Sequence, residues 1–248
     1  MTSSHPWLDK PGTTKQTRLF CLPFAGGGAS IYRPWRERFR SQLHVCPILL
    51  PGREARLGEP PIPDLDALAV AIVDAIEPWL NQAYALLGYS FGALLAFEVA
   101  RELRRRGKPL PTMLFVLSST APGRHQPLGF SDLPDQAFIE ALQNRYEAIH
   151  PAILSDHELI QLFLPLLRAD FSALDSYQYR PEPPLPVPIT AWFGSLDQTL
   201  TRDRVAAWSQ CTSAEFHLRE LPAAHFLHTN PEFLDDLQSR LPSATLLG

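Results

Sequence analysis

The sequence predicts an α/β fold with a mostly parallel central sheet and helices on both of its faces. Short apolar runs alternate with amphipathic stretches along most of the chain, which is the pattern that such a fold requires. The hydrophobic share of 45% suits a large buried core. An α/β domain can reach 248 residues without splitting, and no change in composition marks a boundary, so we expect one domain over residues 1–248.

The strands and helices of this fold can be placed in order along the chain. Six apolar runs are predicted strands: Arg18–Leu22, His44–Leu49, Tyr84–Gly88, Met113–Ser118, Ile189–Phe193 and Glu215–Leu221. Helical spacing of apolar residues predicts helices over Asp64–Leu80 and Phe91–Arg106, the second ending at Gly107. Near the end of the chain, Asn230-Pro231 supplies a cap and a first-turn proline for a last helix.

One segment, Ala121–Tyr179, interrupts the alternation because it holds no convincing strand. Two helical patterns occupy it, Pro134–Glu147 and Ser155–Tyr177, and Ser155-Asp156-His157-Glu158 fits a capping box at the start of the second. A helical pair inserted between two core strands is typical of a lid. We therefore predict a helical lid insertion over residues 121–180, above a site at the ends of the strands.

The composition of the chain excludes several classes of protein. A formal charge of −4 and a pI near 6.1 disfavour a nucleic-acid partner, which needs a basic surface. No stretch reaches the roughly 18 apolar residues of a membrane helix, and Met1–Lys10 lacks a signal-peptide core. We therefore expect no membrane association and a cytoplasmic protein. Cys21, Cys46 and Cys211 form no metal or redox spacing and are expected to be buried free thiols.

The strongest chemical signal is Gly88-Tyr89-Ser90-Phe91-Gly92, which lies between a predicted strand and a predicted helix. In this context the G-x-S-x-G pattern indicates a sharp, strained turn that exposes the serine hydroxyl and leaves room only for glycine two residues to either side. We therefore predict an α/β-hydrolase fold with Ser90 as the nucleophile. An ordinary turn with a surface serine, the alternative interpretation, does not explain both glycines.

A serine nucleophile needs a base, and hydrolases of this fold present serine, acid and histidine in that order along the chain. His225 follows the last predicted strand, in a loop at its carboxyl end, and is the predicted base. His228, three residues further on, is the one serious alternative. The other six histidines fall in the N-terminal tail, in predicted strands or in the lid.

The predicted acid that orients the histidine is Asp197, which lies just past the strand Ile189–Phe193. Some enzymes of this fold place the acid after the preceding strand, but that position here reads Ser118-Ser119-Thr120 and offers no carboxylate. Asp203 fits the first turn of the next helix, where a carboxylate interacts favourably with the helix dipole. The alternative role for Asp197 is a turn carboxylate that caps its own backbone.

Acyl transfer also requires N–H donors for the developing oxyanion. The backbone N–H of Phe91, directly after the nucleophile, is the first predicted donor. The second is expected from the glycine-containing loop Leu22–Gly28 after the first strand, and we assign it to Ala25, with Gly26 as the alternative. A phosphate-binding loop is disfavoured because no Lys-Ser/Thr pair follows the glycines.

Together these segments resemble the stand-alone type II thioesterases that accompany polyketide synthases and nonribosomal peptide synthetases. The resemblance lies in Leu22-Pro23-Phe24-Ala25-Gly26-Gly27, Leu50-Pro51-Gly52-Arg53-Glu54, the serine turn and Leu162–Phe171. It implies a triad of Ser90, Asp197 and His225 below the lid. The chain departs from the family pattern at three places. Tyr89 stands where the family often has histidine, Ala223-Ala224 where a glycine pair is common, and Gln198 where proline often follows the acid. None of these departures removes a catalytic atom. They therefore put the rate and the acyl preference in doubt more than the reaction itself.

The resemblance also implies a function, namely removal of acyl groups from the phosphopantetheine arm of carrier proteins through an acyl-serine at Ser90. It implies no metal and no cofactor on the enzyme, and we expect a monomer. Because carrier domains are acidic, a basic docking surface would suit them. The candidates for it are Arg101, Arg104, Arg105, Arg106 and Lys108. A solvated helix end that favours cations explains these residues equally well.

Three other functions compete with this interpretation. A small-molecule carboxylesterase or lipase with the same triad is the main alternative. A chain-terminating thioesterase is usually fused to a synthase, and no carrier-domain sequence is attached here. A non-catalytic binding protein of the same fold would have lost a member of the triad, whereas all three are present.

Overall fold

Six parallel strands form the centre of the molecule in the computed structural model, which describes residues 6–8, 16–146 and 157–241. The strands are β1 (Thr17–Leu22), β2 (Leu43–Pro47), β3 (Tyr84–Tyr89), β4 (Leu114–Leu117), β5 (Ile189–Gly194) and β6 (Phe216–Leu221). They are ordered β2-β1-β3-β4-β5-β6, and every neighbouring pair is parallel. The predicted fold class is confirmed, and each predicted strand agrees with an observed one to within two residues at either end.

Helices connect these strands and cover the sheet. They are α1 (Arg33–Arg38), α2 (Leu65–Ile76), α3 (Phe91–Arg105), α4 (Asp135–Tyr146), α5 (His157–Ser176), α6 (Arg202–Ala206) and α7 (Pro231–Arg240). Asp64 caps α2 by accepting a hydrogen bond from the N–H of Ala67, and Asn230 caps α7 in the same way from Phe233. The helix predicted to reach Leu80 ends at Ile76 and continues as a 3₁₀ turn.

Apolar side chains pack on both faces of the sheet, as the alternating pattern predicts. Along β1, Leu19 and Cys21 belong to one buried cluster and Phe20 and Leu22 to the other, because successive side chains of a strand point to opposite faces. The first cluster also contains aromatic residues of α1 and α7, and the second contains the apolar faces of α2 and α3. Strands β1 to β5 are thus largely buried on both sides, whereas most of the edge strand β6 is half-buried or exposed.

The predicted lid corresponds to α4 and α5, which lie between β4 and β5. The proposed capping box begins at Ser155 and therefore lies partly outside the described residues. The two helices are joined by Arg168, which donates hydrogen bonds to the carbonyls of Ser131 and Leu133 and to the carboxylate of Asp135. That the whole chain, residues 1–248, forms one domain stays a prediction.

The cysteines are buried and free, as predicted. Burial raises the pKa of the Cys46 and Cys211 thiols to about 12, so these groups are protonated and unreactive at neutral pH. Within the described part of the chain, no helix is long and apolar enough to span a membrane.

Candidate active site

Ser90 lies at the turn between β3 and α3 in the strained conformation that the motif predicts, with φ 54° and ψ −112°. A Cβ at Gly88 would lie 2.1 Å from the carbonyl oxygen of Gly92, and a Cβ at Gly92 would lie 2.3 Å from the carbonyl oxygen of Leu22. Both glycines are therefore required by close backbone approach. The turn presents the Ser90 side chain, which is partly exposed, at the carboxyl edge of the sheet.

Ser90, His225 and Asp197 form one hydrogen-bonded line across the ends of β3, β6 and β5. The Nε2 atom of His225 lies 3.2 Å from Ser90 Oγ, and its Nδ1 atom lies 2.6 Å from Asp197 Oδ2. The imidazole can thus accept the serine proton at Nε2 while the carboxylate holds the proton on Nδ1. The three residues selected from the sequence meet in the arrangement that serine activation needs.

The Asp197 carboxylate is held in its ionised form. Its Oδ1 atom accepts hydrogen bonds from the backbone N–H of Thr199, at 2.9 Å, and from the Thr199 hydroxyl, at 2.7 Å. Burial opposes ionisation, but the hydrogen bonds from His225 and Thr199 outweigh it and lower the pKa of Asp197 below its usual value. Asp203 lies in the first turn of α6, as expected.

Glycine at the end of β5 brings the acid loop against the histidine loop. A Cβ at Gly194 would lie 2.0 Å from the carbonyl oxygen of Ala223, and the N–H of Leu196 donates to that same oxygen at 3.0 Å. The two loops are therefore joined backbone to backbone, which fixes the separation of Asp197 and His225.

The His225 loop is also anchored from below. The hydroxyls of Tyr89 and Ser118 both donate to the His225 carbonyl oxygen, at 3.0 and 2.9 Å, and the Tyr89 hydroxyl accepts from the N–H of Leu227. Tyr89 is fully buried. Tyr89, one of the positions at which the chain departs from the family, therefore supports the catalytic loop from inside the core.

His228, the alternative base, is not part of the line. Its ring packs against Phe24, Tyr89 and Phe226, and its Nδ1 atom is buried with no hydrogen-bond partner among the described residues. Burial lowers the pKa of His228, which keeps the ring neutral. The structure thus distinguishes the two histidines that the sequence left open.

The oxyanion loop forms a turn in which the N–H of Gly27 donates to the carbonyl of Phe24 at 2.8 Å. Ala25 and Ser90 line the same space. The N–H of Gly26, the alternative donor, is already bonded to Asp170 Oδ2 at 2.7 Å. Phe91 is the first residue of α3, so its N–H has no acceptor within the helix. The bond that Gly26 already makes favours Ala25 over Gly26 as the second donor, and the assignment of the oxyanion hole to Ala25 and Phe91 stays a prediction.

Tyr146, at the end of α4, lies over the triad and borders two compartments. Its ring centroid is 5.1 Å from that of His225, and both compartments reach Ser90. The compartment with more polar groups, called the polar compartment below, mixes Ser119, Thr120, His125, Gln126, Arg145, Thr199 and Arg204 with Phe91, Leu94, Leu128, Leu174 and Leu200. The apolar compartment is lined by Phe24, Ala25, Leu142, Leu167, Phe171 and Phe226. One side of the nucleophile thus offers hydrogen-bonding groups among apolar ones, whereas the other is mostly apolar.

The basic stretch at the end of α3 does not form an open cationic surface. Arg101, Arg104 and Arg105 converge on Glu182, each with a nitrogen-to-oxygen distance of 2.6 or 2.7 Å. Arg106 pairs with Asp74 and Glu102, and Lys108 pairs with Glu77. The expectation of a basic docking surface here is not supported, because neighbouring carboxylates neutralise these cations. The Arg101 side chain is in addition buried.

Sequence reasoning missed the partners that hold the triad and the oxyanion loop. Thr199 follows Asp197 by two residues, and Asp170 and Arg53 form a buried ion pair beside Gly26 and Gly27. Both members of that pair lie in segments that carry the family resemblance, which was the available signal. Their contacts join distant parts of the chain, so spacing along the sequence did not reveal them.

A serine, a histidine and a carboxylate in one hydrogen-bonded line, at the carboxyl edge of a parallel sheet, define a serine hydrolase of the α/β-hydrolase class. Residues 17–241 match the family model for the thioesterase domain. The chain therefore belongs to the thioesterase family.

Similar proteins agree in sequence and in fold. The chain is 40% identical over 215 residues to the gramicidin S biosynthesis protein GrsT of Aneurinibacillus migulanus, covering 84% of this chain and 82% of that protein. The structure of RedJ, a thioesterase from the prodiginine biosynthetic pathway of Streptomyces coelicolor, superposes with a TM-score of 0.85 at 40% identity, covering 91% and 90% of the two chains. The type II thioesterase BorB from the borrelidin biosynthetic cluster superposes with a TM-score of 0.84 at 32% identity, covering 97% and 98%.

Proposed function

We propose that this thioesterase hydrolyses acyl groups from the phosphopantetheine arm of carrier proteins, and so frees blocked polyketide or nonribosomal peptide synthases. The hydrogen-bonded line of Ser90, His225 and Asp197 below a helical lid carries the proposal. The biosynthetic thioesterases to which the chain is similar support the choice of a carrier-bound substrate. The reaction needs no metal or cofactor on the enzyme, and we propose that the protein acts as a monomer.

In the first half-reaction, Ser90 Oγ attacks the thioester carbon while Nε2 of His225 takes its proton. The negative charge that develops on the carbonyl oxygen is stabilised by the N–H groups of Ala25 and Phe91. When the tetrahedral intermediate collapses, the carbon–sulfur bond breaks. The imidazolium then returns the proton to the departing phosphopantetheine sulfur, which leaves as a thiol.

In the second half-reaction, water replaces the thiol. His225 removes a proton from water as the water oxygen attacks the acyl-Ser90 carbon, and the same two amides hold the second oxyanion. Collapse releases the carboxylic acid and returns the proton to Ser90 Oγ. Asp197 remains ionised throughout and holds His225 in the tautomer that both steps require.

The two compartments suggest how the substrate lies. The phosphopantetheine arm carries amides and a hydroxyl, so the polar compartment suits it, whereas an alkyl acyl group suits the apolar compartment. The thioester carbon would then lie at Ser90, which borders both compartments.

Intact-protein mass spectrometry of an acyl-loaded carrier protein tests the proposal. Wild-type enzyme should remove the mass of the acyl group, while Ser90→Ala should leave the carrier loaded. Equal unloading by both proteins would reject Ser90 as the nucleophile. A small-molecule esterase would instead turn over free esters well and show no preference for the same acyl group on the carrier, so both substrates are assayed side by side.

A further inference from the structure

We propose that Asp170, together with Arg53, is a positioning residue for the oxyanion hole, so that lid helix α5 holds the amide of Ala25 in place beside Ser90. The inference deepens the proposed function and rests on it for the identity of the oxyanion. It assigns a task to a buried ion pair that the triad itself does not use. It also makes the lid helix part of the catalytic framework as well as a cover.

The loop that carries Ala25 has a backbone form that can change. The hydrogen bond from the Gly27 N–H to the Phe24 carbonyl closes a four-residue turn with Ala25 and Gly26 at its centre. Gly26 has φ 77°, whereas Ala25 is not among the residues with positive φ, so the turn is of type II. A type I turn is the commoner form and differs mainly by a flip of the central peptide.

Asp170 selects one of these two forms. Its Oδ2 atom accepts a hydrogen bond from the Gly26 N–H, which belongs to the central peptide of the turn. Flipping that peptide would turn the Ala25 carbonyl oxygen toward the carboxylate. Two hydrogen-bond acceptors would then face each other with no donor between them, which is unfavourable. The carboxylate therefore holds the turn in the form in which Ala25 lines the space beside Ser90.

Arg53 holds the same turn from the other side, and we call Asp170 and Arg53 together the clamp. Its guanidinium donates to both carboxylate oxygens of Asp170, at 2.8 and 3.0 Å, and to the Gly27 carbonyl at 2.9 Å. The two side chains are only 4% and 1% exposed. A buried ion pair is weak evidence for added stability, because removing two charges from water offsets much of their attraction. The hydrogen bonds that this pair makes to Gly26 and Gly27 point instead to a role in positioning.

Packing of α5 on the turn adds to the clamp. A Cβ at Gly26 would lie 2.5 Å from Cδ2 of Leu167, which precedes Asp170 by three residues on the same helix. The helix therefore touches the turn both by close packing and by a hydrogen bond, and the turn cannot shift without moving α5.

The variant Asp170→Asn tests the inference, because an amide of the same size has only one acceptor oxygen and no charge, so it cannot keep both hydrogen bonds from Arg53 together with the one from Gly26. We expect kcat for a 4-nitrophenyl acyl ester to fall by about 10- to 100-fold, while KM changes little. This decrease in kcat is no larger than the decrease caused by removing a whole oxyanion donor. Affinity for an alkyl trifluoromethyl ketone, which forms an oxyanion on Ser90, should fall by a similar factor. The acid limb of the pH profile should keep its midpoint, because His225 and Asp197 are untouched.

Asp175→Asn is the matched control. Asp175 lies on the same helix and also accepts from backbone N–H groups, those of Leu128, Gly129 and Ser131, which belong to the lid. The Asp175→Asn change should reduce stability. It should not lower the affinity for the trifluoromethyl ketone relative to the affinity for a substrate-like ligand. Equal losses in the two variants would overturn the inference and leave Asp170 a structural residue.

A second variant keeps the test decisive if Asp170→Asn folds poorly. Arg53→Lys retains one positive charge but cannot bond to both Asp170 oxygens and the Gly27 carbonyl together, so it should reproduce the loss of kcat and of ketone affinity. Unchanged kinetics in Arg53→Lys would contradict the clamp. If wild type hydrolyses esters but not carrier thioesters, the proposed function fails while the ester and ketone measurements still decide the role of Asp170.

Discussion

At the scale of single residues, Thr199 is the side chain whose role can be isolated most cleanly. Its hydroxyl and its N–H both donate to the Asp197 oxygen that faces away from His225. These two hydrogen bonds fix the rotation of the carboxylate, so that the other oxygen stays on Nδ1 of the imidazole. Thr199 thus acts on the reaction through Asp197, and its hydroxyl also lies 3.5 Å from Nδ1 of His225.

We predict that Thr199→Val lowers kcat/KM by about tenfold, because one charge-assisted hydrogen bond to Asp197 is lost while the backbone N–H bond remains. Steady-state hydrolysis of an acyl ester measures the effect. Thr199→Ser keeps the hydroxyl and is the control, so it should retain most of the wild-type rate. A Thr199→Val enzyme as fast as wild type would show that the Thr199 N–H and His225 suffice to orient Asp197.

The residues that form the hydrogen-bonded line could be predicted because each follows a strand directly. Ser90, Asp197 and His225 come after β3, β5 and β6, and the carboxyl ends of parallel strands share one edge of the sheet. Asp170 could not be found in this way, because it lies in the middle of a lid helix and meets Gly26 only in the folded protein. The family resemblance marked its segment without explaining it.

At the scale of secondary-structure elements, apolar periodicity located the strands and the longer helices. It did not locate α1, which has six residues and contains Pro34, too short a stretch for a helical period to show. It also could not determine what the cations of α3 contact. Glu182, which pairs with three of them, lies in the connection between α5 and β5.

The ion-pair network around Glu182 leads to a prediction about stability and pH. Partial burial opposes ionisation of Glu182, but hydrogen bonds from Arg105, Arg101 and Arg104 lower its pKa from 4.5 to about 2. Because the folded-state pKa is lowered, the stabilisation is complete above about pH 5 and is lost as the pH falls toward 2. Glu182→Gln should therefore cost roughly 1–2 kcal/mol at neutral pH after allowance for solvent screening.

Urea unfolding of wild type and Glu182→Gln at several pH values checks this prediction. The difference in the free energy of unfolding should narrow as the pH is lowered from 5 to 2. Glu220→Gln serves as the control, because Glu220 is more exposed and forms an ion pair with Arg202 alone among the described residues, so its effect should be small at every pH. A constant difference for Glu182→Gln would show that the network does not depend on the charge of this carboxylate.

At the scale of the whole molecule, the site exists only where the sheet and the lid meet. The sheet supplies the nucleophile, acid and base, while α4 and α5 supply Tyr146 over the base and most of the apolar wall. The sequence could predict that a helical lid exists, since two helical patterns interrupt the strands. It could not predict the two compartments, because their walls combine side chains from elements far apart in the chain.

Leu142 allows us to test whether the lid determines the acyl preference. It lines the apolar compartment from α4, whereas Ile139, one turn earlier on the same helix, is buried outside both compartments. Each change to alanine should reduce stability by about 2–5 kcal/mol. Only Leu142→Ala should shift the acyl preference toward longer chains, because only that side chain borders the space in which we place the acyl group.

A series of acyl N-acetylcysteamine thioesters of increasing chain length measures the shift as a profile of kcat/KM. Leu142→Val, which removes less volume, should give an intermediate profile, and Ile139→Ala should keep the wild-type optimum at a lower stability. An unchanged profile in a folded Leu142→Ala enzyme would mean that the acyl chain does not enter the apolar compartment. The polar compartment would then have to hold it, and the roles that we assign to the two sides of Ser90 would be exchanged.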